Sequence, residues 1–443
     1  MRPRPWFPRF TTLASDVRLA FRALARTPGF TAIAVLVLGI GIGLNTAVFG
    51  IVNAVALRPF FGEARPGQLA AVYAFDRTRP GAYRDFSYPL YVDIRERSAV
   101  FSQTAGLAVS MVGLGEGEMT RRGFAFIATS TLFPLFDARP TRGRAFLPEE
   151  ETPGAERAVT ILSEEYWRET GADPDIVGKT IRINTRLFTV IGIAPAGFGG
   201  PTTLFTPAVW LPTGVCDSIA GNAFGQTSRR SFADRAEQSM TLYARMKPGV
   251  TYESARAQLT SLAGQLEQAY PGEHRNLGLE ARAISRTGIG TSPQNDSEAF
   301  TALALVQGMT LIVLGIACMN LANMLLARST SRRREIAVRF ALGASRTAVV
   351  RQLLAEGLVL SLAGAAVGLV ATYWTIRAFN ASFAPVAEIM LALDTRPDLR
   401  ILAVTLVFSV LATLASCLGP AVQLLRTDTF AELKEGARAA TTG

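Results

Sequence analysis

Few residues in this chain have the type and spacing that bond-making chemistry needs. His274 is the only histidine among the 443 residues. That excludes a zinc site built on two histidines and argues against a Ser-His-Asp or Cys-His catalyst. The cysteines are Cys216, Cys318 and Cys417. The last two sit in long apolar stretches and read as small packing residues, while Cys216 stands alone in a polar segment and cannot support a disulfide scaffold there. Glu149, Glu150 and Glu151 form an acidic run beside prolines, the composition of a solvated turn. No G-x-x-x-x-G-K-[ST] loop occurs in these residues, so they offer no such cradle for ATP phosphates. No catalytic or metal-binding residue is expected.

The chemistry that remains is that of contact. Arg332-Arg-Arg-Glu-Ile-Ala-Val-Arg-Phe-Ala-Leu-Gly-Ala-Ser-Arg346 sets Ile336, Ala337, Phe340 and Ala341 on one helical face. Arg332, Arg333, Glu335 and Arg339 fall largely elsewhere. Gly343 can end this short helix, and Ser345 can cap the next one. Such a helix suits the groove of a partner protein, and equally a basic stretch on anionic lipid.

Four stretches without a charged residue flank that segment and must position it: Phe30–Ala56, Phe300–Ala327, Gly357–Ile376 and Ile401–Leu425. Each reaches the roughly 20 residues that a helix needs to cross a bilayer. The segments Met1–Gly29, Arg328–Gln352 and Arg426–Gly443 hold 16 basic and 5 acidic residues, whereas Leu57–Ala299 holds 26 of each. Basic excess beside spans marks the cytoplasmic face, and long domains translocate largely regardless of charge. Both termini and the arginine segment are therefore expected inside, and the long insert outside. The net charge of +10 is then a topology signal and gives no reason to expect a nucleic-acid partner.

The first apolar run has 27 residues, against roughly 7–15 for the apolar region of a signal peptide, and no A-x-A pattern follows it. It reads as an uncleaved anchor. Ahead of it, Leu13, Val17, Ala20, Phe21 and Leu24 recur at helical spacing, with Asp16, Arg18, Arg22 and Arg26 opposite. This fits a helix in the headgroup region, and equally one packed on protein. Within the spans, Gly39 with Gly43 and Gly364 with Gly368 are small-xxx-small pairs that permit close helix approach. Polar residues there are sparse: Asn45, Asn53, Asn320, Asn323 and, at the cytoplasmic edge, Glu356, expected to reach the interface or a nearby arginine. A midplane solute site would leave paired ionisable groups, and the spans contain none.

The insert reads as mixed α+β. Thr180–Ile183 and Arg186–Ile193 form a hairpin about Asn184-Thr185. Ala158–Leu162 is a strand leading into a helix capped by Ser163. Met240–Met246 is a further strand. A helix follows from Thr251, with Ala255, Leu259, Leu262 and Leu266 on one face. The expected fold is an α-helical membrane protein with four transmembrane helices and a large α+β domain inserted between the first and second.

The arginine segment resembles the coupling segment of MacB/FtsX/LolC-type ABC transporter permeases, whose pattern R-R-E-I-A-V-R-x-A-L-G-A-S-R it closely matches. The likeness covers nearly the whole chain: Asp16-Val-Arg-Leu-Ala-Phe-Arg22, Leu44-Asn-Thr-Ala-Val-Phe49, Gly178-Lys-Thr-Ile-Arg-Ile-Asn184 and Phe188-Thr-Val-Ile-Gly-Ile-Ala-Pro195 are similar to that superfamily's membrane entry and MacB-type periplasmic core domain. It is nearest to the duplicated orphan permeases, of which it matches one half-unit. The resemblance implies a bacterial inner-membrane protein divided as cytoplasmic segment 1–29, span 30–56, periplasmic core domain 57–299, span 300–327, coupling loop 328–352, span 353–376, periplasmic loop 377–400, span 401–425 and cytoplasmic tail 426–443, with residues 300–425 as the FtsX-like permease part.

It also implies a cytoplasmic ABC ATPase as partner, which binds the ATP, and no cofactor in this chain. Arg333, Arg334, Glu335, Ile336, Arg339, Phe340, Leu342 and Gly343 would carry the contact. The ATPase cycle would move the outer domain for export or mechanotransmission, acting on cargo or a periplasmic partner. The reading of another class is a membrane-anchored binding or scaffold protein without an ATPase. Two copies are expected to pair through the Gly39 and Gly43 face. The competing expectation is that the chain is one half of a longer permease.

Overall fold

The computed structural model describes residues 9–53, 68–115, 120–201, 207–219, 231–286, 290–331, 346–387 and 399–426. They fall into two compact units, one formed by the apolar helices and one by the insert between the first and second of them.

In the first unit, helix α1 spans Arg9–Ala25 and α2 Pro28–Val52, with Pro28 in the first turn, where a missing N–H costs nothing. Four helices are long and apolar enough to cross a membrane, their spanning parts being Pro28–Val52, Asp296–Arg328, Val350–Trp374 and Arg400–Cys417. Leu38, Ile42, Leu314, Leu321, Leu325, Leu360 and Ala412 form the heart of their shared core.

The insert holds strands β1 (Leu69–Asp76), β2 (Tyr83–Arg84), β3 (Phe101–Leu114), β4 (Arg121–Ala128), β5 (Arg142–Gly143), β6 (Val159–Leu162), β7 (Thr180–Ile183), β8 (Arg186–Ile193), β9 (Val209–Pro212), β10 (Thr241–Met246) and β11 (Leu277–Ala283). Among them run helices α3 (Tyr88–Arg97), α4 (Leu132–Leu135), α5 (Pro148–Glu151), α6 (Glu164–Glu169) and α7 (Tyr252–Ala269). The remaining helices, α8 (Asp296–Ser331), α9 (Arg346–Ala387) and α10 (Leu399–Arg426), hold the later spans. The strands form one sheet in the order β11-β1-β10-β3-β4-β9-β6-β8-β5, with β2 on β1 and β7 joining β3 and β8. Its pairs are antiparallel except β4 with β9 and β6 with β8.

Both faces of the sheet are buried, so central strands are apolar at successive positions. On β1, Ala70, Val72 and Ala74 pack under α3 and α7, while Ala71 and Tyr73 face an aromatic cluster of Phe133, Phe136, Phe198 and Trp210. Asn184 takes φ +53° in the β7–β8 turn, a left-handed position that asparagine tolerates. Ser163 accepts from the Tyr166 N–H at the start of α6, and Thr251 from the Ser254 N–H at the start of α7.

The acidic run is not a solvated turn. Glu150 and Glu151 are 2% and 3% exposed. Both nitrogens of Arg144 reach Glu150, at 2.7 and 3.0 Å, and the Leu147 N–H donates to it at 2.8 Å. Glu151 accepts from Arg95 at 2.9 Å and from the Ser130 N–H and hydroxyl at 2.9 and 2.6 Å. These partners neutralise charges whose burial would otherwise be prohibitive.

Candidate functional site

The eight coupling residues Arg333, Arg334, Glu335, Ile336, Arg339, Phe340, Leu342 and Gly343 lie outside the described residues, as does Ser345. The elements that hold the segment are described: α8 runs up to it, ending at Ser331, and α9 resumes at Arg346.

At the cytoplasmic end of α8, Arg328 Nη2 donates to the Ala23 carbonyl of α1 at 3.0 Å and to the Thr27 hydroxyl at 2.9 Å. Its guanidinium also stands 4.6 Å from the centre of the Phe30 ring. One side chain thus ties the α1–α2 corner to the second span. Cation placement at the C-terminal carbonyls of α1 also favours the helix dipole. Nothing local announces this clamp; its signal is only an arginine at the end of an uncharged run.

The four glycines of the small-xxx-small pairs come together. A Cβ on Gly39 would lie 3.2 Å from the Gly364 carbonyl oxygen, and one on Gly364 would lie 2.8 Å from the Leu38 Cβ. Gly43 and Gly368 meet in the same seam, where the Thr372 hydroxyl donates to the Gly43 carbonyl at 3.0 Å. The seam joins α2 and α9 of one chain. Pairing of two copies through Gly39 and Gly43 is therefore blocked, because the third span already occupies that face. A small-xxx-small pattern encodes close approach and does not encode whose helix approaches.

Some polar groups inside the bundle bond from helix to helix. Asn45 Nδ2 donates to the Thr310 carbonyl at 2.7 Å, and the Thr46 and Thr405 hydroxyls are 3.2 Å apart. Glu356 is 3% exposed and accepts from Gln352 at 3.4 Å. Asn320 and Asn323 lie on the exposed side of α8.

In the insert, His274 is 1% exposed. Arg235 stands in front of it, 3.3 Å from Nε2, with a second bond to Asp93 and its guanidinium 3.6 Å from the Tyr270 ring centre. Burial first, then the Arg235 and Arg84 charges, hold the imidazole below its ordinary value of 6.5. It is a structural neutral ring. Burial pushes the Cys216 thiol up to about 12, with Asp217 and Glu237 adding to it, so it is no nucleophile at neutral pH. Gly178-Lys179-Thr180 enters strand β7 with no helix after it, so it is not a phosphate loop. Among the described residues no group of three or more metal-ligating side chains exists.

A four-span helical bundle with a mixed sheet domain inserted after its first span is the build of a transporter permease. The MacB-like periplasmic core domain matches residues 31–262, and the FtsX-like permease C-terminal domain matches residues 308–429. The chain belongs to the MacB/FtsX-type ABC permease family, as a multi-pass protein of the bacterial inner membrane with its large domain in the periplasm.

Similar proteins include the macrolide export ATP-binding/permease protein MacB of Burkholderia thailandensis, 28% identical over 242 residues, covering 54% of this chain and 33% of that protein. The protein of the same name from Rhodopirellula baltica is 27% identical over 313 residues, covering 64% of this chain and 43% of that one. The chain thus spans well under half of these relatives' length. Among solved structures, the periplasmic region of MacB from Actinobacillus actinomycetemcomitans matches at 11% identity and TM-score 0.36, covering 58% of this chain and 97% of that one. The extracellular domain of the noncanonic ABC-type transporter YknZ from Gram-positive bacteria matches at 11% identity and TM-score 0.35, covering 48% and 100%.

Proposed function

We propose that this chain is the permease subunit of an ABC-type exporter or mechanotransmission complex. A separate ATPase binds ATP at the cytoplasmic face, and its cycle is delivered to the periplasmic domain, which acts on cargo or on an outer partner. The chain itself performs no catalysis and carries no cofactor. The observation that carries this reading is the closed bundle. Helices α2 and α9 pack backbone to backbone along the glycine seam, and Glu356 is the only buried charged side chain among the described residues of the spanning helices. A bundle of that kind is suited to passing on movement, because a solute path needs paired ionisable or water-lining groups in mid-membrane.

Two copies complete the assembly in this reading. With the Gly39 and Gly43 face taken, the surface left for a second copy is α8, the least covered span: 22% of its apolar window is buried, against 44% in the other three.

The test of the reading is Phe340→Asp. A charge in an apolar contact typically costs several kcal/mol, so co-purification of the ATPase should be lost while membrane insertion persists. If Phe340→Asp leaves ATPase binding intact, and Gln at Arg332, Arg333 and Arg334 releases the loop from anionic vesicles, the segment is a lipid contact and the coupling role fails.

A further inference from the structure

A small gap opens where strand β10 leaves β1. The two strands pair from Leu69 to Val72, and beyond that β2 takes the place of β10, with Arg84 opposite Ala74. Phe86 then pairs with Met240, so Asp85 stands at the fork, beside Tyr73 and Thr241. Phe86 lies on the α3 and α7 side of the sheet, in the core that holds Val72 and Leu242. Alternation along the strand therefore puts Asp85 on the opposite side, that of Tyr73 and Tyr243. There it lines a cavity with Tyr73, Thr241, Tyr243, Ser285 and Thr291. The cavity encloses about 10 Å³, room for one water-sized guest.

The charge in this cavity is not matched. Asp85 Oδ1 is covered and has no hydrogen-bond partner. Burial pushes the carboxyl above its ordinary range, against the bond it accepts from the Thr291 hydroxyl, and no cation enters the balance. Arg84 borders the cavity but serves the other face of the sheet. It donates to the Glu273 carbonyl at 3.2 Å, and its charge bears on His274. Glu150 and Glu151, by contrast, each have an arginine. A water in the cavity would give Oδ1 a hydrogen bond and leave its charge, and a charge so enclosed calls for a counter-charge.

We infer that this cavity is a binding site for a small monovalent cation, sodium, held by Asp85 Oδ1 and the hydroxyl oxygens around it. Hard cations take oxygen ligands, and a divalent ion would ask for more carboxylates than the one on this wall. The space admits a guest no larger than one water, so potassium and organic ammonium ions fit less well. Asp85 follows β2, whereas Ser285 and Thr291 lie on the stretch from β11 to α8. A cation shared between them would fasten that stretch to the sheet. The inference is independent of the proposed ATPase coupling.

The experiment uses the full chain in mild detergent at pH 7.5, with sodium chloride exchanged for choline chloride at constant ionic strength. Thermal unfolding is followed by tryptophan fluorescence, to which Trp167 and Trp210 contribute from the insert. The parent's midpoint should rise by about 3 °C for each tenfold in sodium above the dissociation constant. Potassium and methylammonium should raise it less. Asp85→Asn keeps the shape of the side chain and removes its charge. The variant's midpoint should not respond to sodium, and in choline it should equal or exceed the parent's.

A parent midpoint that is the same in sodium and in choline overturns the proposal, whatever the variant does. A sodium response that survives in Asp85→Asn places the ion elsewhere and overturns it as well. Equal effects of sodium, potassium and methylammonium would show charge screening without a shaped site, which overturns the sodium assignment. If the parent gains nothing from sodium, while acidification to pH 5.5 raises its midpoint and not that of Asp85→Asn, then Asp85 holds a proton and the cation site fails.

Discussion

Gly43 of α2 and Gly368 of α9 meet so closely that a Cβ on Gly43 would stand 2.9 Å from the Gly368 Cα. On the other side of the contact, a Cβ on Gly368 would stand 2.7 Å from the Gly39 carbonyl oxygen. Since lipid tails are as apolar as the helices, association inside the membrane depends on such packing and on hydrogen bonds across it. The Thr372 hydroxyl bonded to the Gly43 carbonyl is one of those bonds.

Gly43→Val should force the two helices apart. The contact atoms are backbone and cannot yield as a side chain would, so the cost should be about 1–3 kcal/mol of overpacking. Thermal unfolding in mild detergent should show a midpoint several degrees below the parent. Gly50→Ala is the control, since its Cβ would find only Ile401 Cδ1, at 3.9 Å, and its midpoint should hardly move. Equal midpoints for the parent and Gly43→Val would mean that the seam does not hold the bundle together.

His274 gives a pH dependence of known sign. Its value in the folded chain lies below the ordinary 6.5, through burial and the facing charges of Arg235 and Arg84, with Asp93 opposing them. Between the two values the unfolded chain binds a proton that the folded chain refuses. Stability should therefore be full above pH 6.5 and fall as the pH drops below it. No other histidine contributes. Urea unfolding of the parent and of His274→Gln from pH 7.5 to 5.5 measures the effect, and the loss on acidification should be smaller in the variant. Parallel pH curves for the two proteins would remove His274 as its source. Glu150 should act lower down. Burial opposes its charge, but the Arg144 bonds and the Leu147 N–H outweigh that and hold it below 4.5, so its contribution is lost only in stronger acid.

Local rules carried far in this chain. The β7–β8 hairpin, the Ser163 and Thr251 caps and the buried face of α7 at Ala255, Leu259, Leu262 and Leu266 are all written in a few adjacent residues. The pairings that order the sheet are not. Strand β1 lies between β10 and β11, so Val72 pairs with Leu242 and with Ala281, and no periodicity reports which distant strand is the neighbour. Glu151 fails in the same way: its partners Arg95 and Ser130 lie 56 and 21 residues away, so the acidic run read as a turn when taken alone. Of the candidate site, the arginine segment was visible through family resemblance. The Arg328 clamp was not, because an arginine at the end of a span looks like an ordinary charge flank.

The outer side of α8 is where a second copy should dock. Leu305, Ile312 and Met319 are 65%, 66% and 63% exposed, and Gly308 and Gly315 alternate with them along the same stripe. A Cβ on either glycine would meet nothing within 4 Å. The spacing 305, 308, 312, 315, 319 repeats three and four residues in turn, the pattern of a left-handed helix seam. The next step of that repeat, Ala322, is buried, while Asn323 beside it is exposed. An asparagine facing lipid is costly unless it finds a partner across an interface. Disulfide trapping can decide the matter in native membranes. Ile312→Cys and Met319→Cys, each with the three native cysteines replaced by Ala, should give cross-linked dimers on mild oxidation. Val367→Cys, on another exposed stretch of span, should not. Cross-linking at Ile312 should fall when Gly308→Leu and Gly315→Leu are added, because the helices can then no longer approach. Dimers trapped equally at Val367 and Ile312 would show random collision, and none at Ile312 or Met319 would leave α8 facing lipid and the pairing of two copies without a surface.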